Sequence, residues 1–273
     1  MIDLLISPFA DNAFMRHSLG AGLIVAAICA VVGTFVVLRG LSFVADALAY
    51  GVLPGIAVAV LAGLPAVLGA AVGAAIMMGG IGAITRRSRL SGDTAVGLLF
   101  AGMLALGVMI TSRSRSFTGD LTRLLFGELL GVRPAEVAAL GAVALAVGLI
   151  AYVCRRPFLL LSVDPDVAAT SGFPVRRFEN LLLGLVALAV VASFAVAGTL
   201  LVFGMLVAPA ATGALVARRP ATMMAVAAAV GGVSMYVGLL VSYHANLAAG
   251  ASVVTVSVAA FLVTLVIRNW RWR

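Results

Sequence analysis

The chain contains no lysine: all 18 basic residues among its 273 are arginine. A phosphate-binding P-loop needs a lysine after its glycines to reach the phosphates. Any nucleotide-driven step therefore belongs to another polypeptide. Cysteine is limited to Cys29 and Cys154, which are too distant in sequence for a metal motif and give no argument for a disulfide, so both read as packing thiols. Residues 1–17 carry Asp3, Asp11, Asn12 and Arg16 and lack a positive start followed by an apolar core. No cleavable signal peptide is expected, and the first span itself directs insertion. Charge of either sign is scarce, at 10% of residues. No His/Glu/Asp cluster with catalytic spacing lies in the apolar runs, which weighs against a membrane-embedded enzyme.

Hydrophobic residues make up 63% of the chain. A soluble domain has no use for so much apolar surface, whereas a bundle of membrane helices needs it throughout. The expected fold is all-α: one transmembrane domain over residues 1–273 with about eight or nine spans. They fall near 19–38, 44–62, 65–84, 93–112, 134–154, 180–197, 199–217, 222–242 and 250–267. Around Gly198 two crossings share few residues, and a tilted helix plus a re-entrant segment fits equally well. The net charge of +8 does not form a nucleic-acid patch. Arginines occur in short clusters between apolar runs: 86–89, 155–156, 176–177, 218–219 and 268–273. With the N-terminus outside, these clusters and Arg39 fall on the cytoplasmic side, as does the C-terminus. Arg113, Arg115, Arg123 and Arg133 are left outside, where Asp120–Leu130 reads as a short interfacial helix.

Asp46 stands inside the apolar run 41–55. A carboxylate in a membrane span costs roughly 2.5–3.5 kcal/mol and marks a functional position. Tyr50, four residues on, shares its helical face. Pro54, with Gly51 and Gly55, weakens the helix just beyond. The alternatives are that Asp46 pairs with Arg39 and that Tyr50 is a packed aromatic. Leu53-Pro54-Gly55 resembles Ala208-Pro209-Ala210 in the seventh span. An offset of five crossings, an odd number, makes an inverted pair of halves, and matched proline breaks at Pro54 and Pro209 are a pointer to a transport site. The simpler reading is that proline is common in membrane helices.

The longest cytoplasmic loop is 155–179. Within it, Asp164 suits an N-cap, Pro165 the first helical position and Asp166 the helix dipole. Gly172 suits a left-handed stop and Pro174 forbids continuation. The result is a short capped helix followed by Arg176 and Arg177, read as a docking element for a cytoplasmic partner against the plainer reading of a surface helix. Asp93 follows Ser91-Gly92 and reads first as a helix cap. His17 is interfacial, and His244 at the outer mouth is a metal-receiving candidate or a surface histidine. Glu128 is solvated or paired with Arg123. Gly51, Gly55, Gly69 and Gly73 have the spacing for close helix packing.

Several stretches, taken in order, carry a resemblance. They are Asp46–Gly55, Gly92–Phe100, Asp120–Gly127, Gly198–Val202 with Met205–Thr212, and Ser242-Tyr243 followed by Gly250-Ala251. Together they resemble the permease subunits of bacterial ABC importers for zinc, manganese and ferrous iron. The resemblance covers nearly the whole chain. It implies a homodimer of the type II importer fold, a cytoplasmic ATPase docked on the 164–172 helix, and an extracellular binding protein delivering a divalent metal ion. The metal is cargo, and no permanent cofactor is implied. In that family the aspartate at Asp46 is followed by histidine where this chain has Tyr50, and an acidic residue often stands where Gly92 is. Imidazole suits zinc, whereas a phenol is a poor ligand at neutral pH. Asp46 oxygen alone suits harder ions, which favours manganese or ferrous iron. A secondary ion-coupled transporter and a permease for a metal chelate or vitamin are the competing readings.

Overall fold

A computed structural model of the chain describes residues 12–87, 91–112 and 131–270. Among these residues the chain forms helices and no strands. The long helices are α1 (Ala13–Leu38), the pair α2 (Ser42–Gly51) and α3 (Leu53–Leu61), α4 (Ala66–Arg87), α5 (Gly92–Thr111) and α6 (Pro134–Val153). Two short helices follow, α7 (Arg155–Val163) and α8 (Pro165–Thr170), and then α9 (Val175–Val216), α10 (Pro220–Ala245) and α11 (Ala249–Trp270). Nine stretches of the described residues are long and apolar enough to cross a bilayer. They begin and end within a few residues of the expected spans, except at the first, which starts at Ala13. The expected interfacial helix at 120–130, with Glu128, Arg113, Arg115 and Arg123, lies outside the described residues.

The ambiguity around Gly198 resolves into two crossings. Glu179, near the start of α9, pairs with Arg39 just beyond the end of α1. Leu206, further along the same helix, presses its carbonyl so close to Gly33 of α1 that an added Cβ would collide with it. Gly33 and Arg39 are about 9 Å apart along α1, whereas a straight α9 would separate residues 179 and 206 by about 40 Å. The chain must therefore reverse between them. It does so at Gly198, the one non-helical residue within α9 (φ 68°, ψ 168°). That backbone region is essentially closed to residues with a Cβ. The two arms, Val175–Phe194 and Ala197–Val216, are each long enough to span.

Glycine also sets how tightly the second and third crossings pack. Gly55 of α3 and Gly69 of α4 face each other so closely that a Cβ on either would strike the other's carbonyl, and Gly73 lies against Val52. Small residues of this kind let membrane helices approach backbone to backbone. α1 and α9 occupy the centre of one continuous core that includes Phe35, Leu48, Phe158, Leu201 and Met235. α4, α5, α6 and α11 turn large apolar side chains outward, such as Leu98, Leu145 and Val266. Such surface would drive a soluble protein to aggregate, but it suits a bilayer.

Replacing Gly198 by alanine should destabilise the protein by about 1–3 kcal/mol. The check is the thermal unfolding midpoint in detergent, and an unchanged midpoint would refute the strained-turn assignment.

Candidate transport site

α2 begins at Ser42, so Asp46 sits about one turn inside the second crossing, and Tyr50 lies one turn deeper on the same face. Both side chains are half-buried. The Tyr50 ring packs edge-on against Phe100 of α5, with centroids 5.7 Å apart at 78°. Phe100 in turn touches Phe43 at 6.5 Å. Tyr50 is therefore the inter-helix aromatic of the plainer reading, but its hydroxyl bonds to no backbone group among the described residues. Asp46 likewise makes no ion pair or hydrogen bond there. The partner available to neutralise it, Arg39, is engaged elsewhere: its guanidinium donates to Glu179 Oε1 at 2.8 Å. Half-buried and unpaired, Asp46 is left as an anionic donor on the α2 face.

Among the described residues, no group of three or more His, Cys, Asp or Glu is arranged to hold a metal ion. Asp46 and Tyr50 therefore offer one carboxylate and one phenol on one face of α2.

The prolines behave unequally. Val52 separates α2 from α3, and Pro54 occupies the first turn of α3, packed where Gly107 of α5 approaches it. Pro209 lies within helical backbone, the break in α9 being at Gly198, and it packs near Gly231 of α10. The two segments run in opposite directions, but no contact brings the two prolines together. Asp93 is not the cap of α5. Ser91, with extended backbone, is: its Oγ accepts from the Thr94 amide at 3.3 Å. A cap must directly precede the first helical residue, and Asp93 is already in the first turn, exposed. His244 is exposed in the last turn of α10, its Nδ1 2.9 Å from the Leu240 carbonyl oxygen and its ring against Tyr243. It lies at the rim opposite Asp46. Beside it, between α1 and α10, a recess of about 620 Å³ is lined by Phe14, Met15, Leu239, Ser242, Tyr243 and Asn246.

The loop after α6 has the expected punctuation and one helix more than expected. Asp164 Oδ1 accepts from the Asp166 amide at 2.8 Å, and Pro165 opens α8. Gly172 takes φ 83°, and the Phe173 amide donates back to the Ala168 carbonyl, closing the helix in a Schellman motif. Arg176 and Arg177 are exposed at the start of α9. Sequence reasoning missed α7 and what it carries. Phe158, fully buried, meets Phe35 of α1 edge-on at 5.3 Å and Phe178 of α9 at 6.4 Å. Phe173 adds to the stack at 5.9 Å from Phe178. Beside the stack runs the Arg39–Glu179 ion pair, and seven residues beyond Arg39 is Asp46. On the outside of this junction, Val163 and Val167 are exposed at 84% and 45%. Their signal in the sequence was a valine on each side of the capped Asp164-Pro165 pair.

The description "ABC 3 transport family" belongs to a family profile that matches residues 11–268. The chain belongs to that family. The manganese transport system membrane protein MntC of Listeria innocua is 34% identical over 260 residues, 95% of this chain and 92% of that one. A probable iron transport system membrane protein of Haemophilus influenzae is 34% identical over the whole of both chains. Among solved structures, PsaBC from Streptococcus pneumoniae in complex with Fab superposes with a TM-score of 0.87 at 31% identity, covering 97% of this chain and 95% of that one. The fold is that of a type II ABC importer permease. Family membership thus extends along the same stretch of chain as the nine crossings.

Truncating Phe158 to alanine removes a fully buried ring at the meeting point of α1, α7 and α9. It should cost about 3–5 kcal/mol of stability. Denaturant unfolding of the purified protein checks this, and a loss below about 1 kcal/mol would mean the stack is not a structural junction.

Proposed function

We propose that the chain is the membrane permease subunit of an ABC importer that carries a divalent transition-metal ion, manganese or ferrous iron, into a bacterial cell. It is a transport subunit and not itself an enzyme, with ATP hydrolysis supplied by a separate ATPase. The observation that carries this reading is the unpaired Asp46 one turn inside the second crossing of an ABC 3 family chain. The relatives named for manganese and iron transport support the cargo class, and the ligand chemistry agrees with them. A carboxylate without a neighbouring imidazole suits harder ions better than zinc.

The partners follow from the two rims. Arg39, Arg86, Arg87, Arg155, Arg156, Arg176, Arg177, Arg218, Arg219 and Arg268 all occupy the rim where α1 and α6 end and α9 begins, whereas Arg16 and Arg133 occupy the other. The positive-inside rule makes the first rim cytoplasmic and the N-terminus external. The cytoplasmic ATPase docks on α8, around the exposed Val163 and Val167 and next to Arg176 and Arg177. The extracellular metal-binding protein meets the opposite rim near Tyr243 and His244. A second copy of the chain completes the path, so that two Asp46 carboxylates face it. Two half-occupied donors then pass an ion that neither copy holds alone.

Asp46→Asn keeps the shape of the side chain and removes its charge. Uptake of manganese or iron by cells bearing this variant should fall at least tenfold, the loss expected of one critical charged contact, while the ATPase still copurifies; uptake at the wild-type rate would take Asp46 off the path. Tyr50→His adds a zinc-favouring donor one turn from Asp46. It should raise zinc relative to manganese in competition uptake, and an unaltered ratio would show that Tyr50 does not face the ion.

A further inference from the structure

At the arginine-rich rim, the end of α9 and the end of α11 lie side by side and enclose a recess of about 330 Å³, lined by Leu215, Ala217, Arg218, Thr264, Ile267 and Arg268. A second recess of about 420 Å³, formed by Leu215, Leu265, Arg268 and Asn269, shares Leu215 and Arg268 with the first. Leu215, Ala217 and Ile267 line the first recess and Leu215 and Leu265 the second, so that apolar surface predominates in both; α11 also exposes Leu262, Val266 and Trp270. Both tryptophans of the chain, Trp270 and Trp272, fall in its last six residues, and tryptophan favours the headgroup level of a membrane.

The arginines here lack internal counter-ions. Glu179 is the last acidic residue in the sequence, and the 94 residues after it carry five arginines and no Asp or Glu. Arg218, Arg219 and Arg268 are exposed, and among the described residues their guanidiniums make no ion pair or hydrogen bond, Arg219 bonding only through its carbonyl to Thr222 and Met223. Arg39, by contrast, is held by Glu179. Two guanidiniums from different crossings therefore flank apolar recesses at membrane-surface depth, with no anion in this part of the chain to neutralise them.

We propose that this seam between α9 and α11 binds an anionic phospholipid, its phosphate held by Arg218 and Arg268 and its acyl chains lying in the two recesses. Guanidinium is well suited to phosphate because its fork of donors matches the oxygens. Basic pockets between crossings on the cytoplasmic side are sites for anionic headgroups. Free phosphate would leave the apolar walls unused. Ile267 in the first recess and Leu265 in the second are 55% and 41% exposed, apolar surface that acyl chains cover and that the acidic face of a soluble protein does not match. The lipid tethers the seventh crossing to the ninth, and the site is independent of the ion path at Asp46.

The test is native mass spectrometry of the full-length protein, purified with whatever subunits accompany it and titrated with phosphatidylglycerol or phosphatidylcholine. The wild type is expected to retain phosphatidylglycerol in preference to phosphatidylcholine. The affinity should fall about fivefold in Arg218→Gln or Arg268→Gln and on the order of thirtyfold in the double variant. Arg155→Gln with Arg156→Gln, exposed on the same rim, should leave it unchanged. Equal binding of the two lipids, an unaffected double variant, an equal loss in the Arg155/Arg156 variant, or displacement of phosphatidylglycerol by millimolar inorganic phosphate would each overturn the proposal. Should the double glutamine variant not purify folded, Arg218→Lys with Arg268→Lys serves instead. Its phosphatidylglycerol affinity should weaken as salt is raised, and a salt-independent affinity would contradict headgroup pairing.

Discussion

Phe158 holds the rest of the molecule in register. Its ring is buried between Phe35 of α1 and Phe178 of α9, so the loop that carries α8 is fastened to the two helices at the centre of the core. The edge-on contacts are worth about 0.5–1.5 kcal/mol each beyond the area they bury. The neighbouring Arg39–Glu179 pair is half-exposed on its acidic side and contributes less energy than geometry. It fixes where α1 ends relative to where α9 begins. In the proposed importer, this is how a push on α8 reaches the helix bearing Asp46: through a packed aromatic stack, an ion pair and seven residues of chain.

The same ion pair explains why Asp46 is available. An aspartate near a membrane surface with an arginine seven residues away in sequence invites an internal salt bridge, and one would make Asp46 a structural residue. The fold gives that arginine a different partner, 140 positions along the chain. The carboxylate stays half-buried and unpaired, a costly arrangement that supports the proposed role in handling cations.

Much of this was legible in the sequence because the signals are local. Apolar runs bounded by arginine, proline and glycine located the crossings to within a few residues. The punctuation of α8 was readable residue by residue, with Asp164 capping and Gly172 taking the left-handed turn. The paired glycines at 55 and 69 pack as their spacing implied. What was not legible depends on contacts between distant residues. Nothing near Phe158 announces that it will meet Phe35. Gly198 alone could not say whether the chain reverses or continues, and only the separate contacts of Glu179 and Leu206 with α1 decide it. The Asp93 assignment failed for a finer reason: Ser91 and Asp93 are both good capping residues, and the backbone at Ser91 is the one that is extended.

The central claim is that the Arg39–Glu179 contact links the proposed docking element to the helix bearing Asp46. It is tested most directly by metal transported per ATP hydrolysed, in proteoliposomes containing the permease with its ATPase. Arg39→Glu and Glu179→Arg should each lower this ratio, and the double exchange, which restores the pair with its charges swapped, should recover most of it. A double exchange no better than either single change, or single changes that leave the ratio intact, would contradict the account.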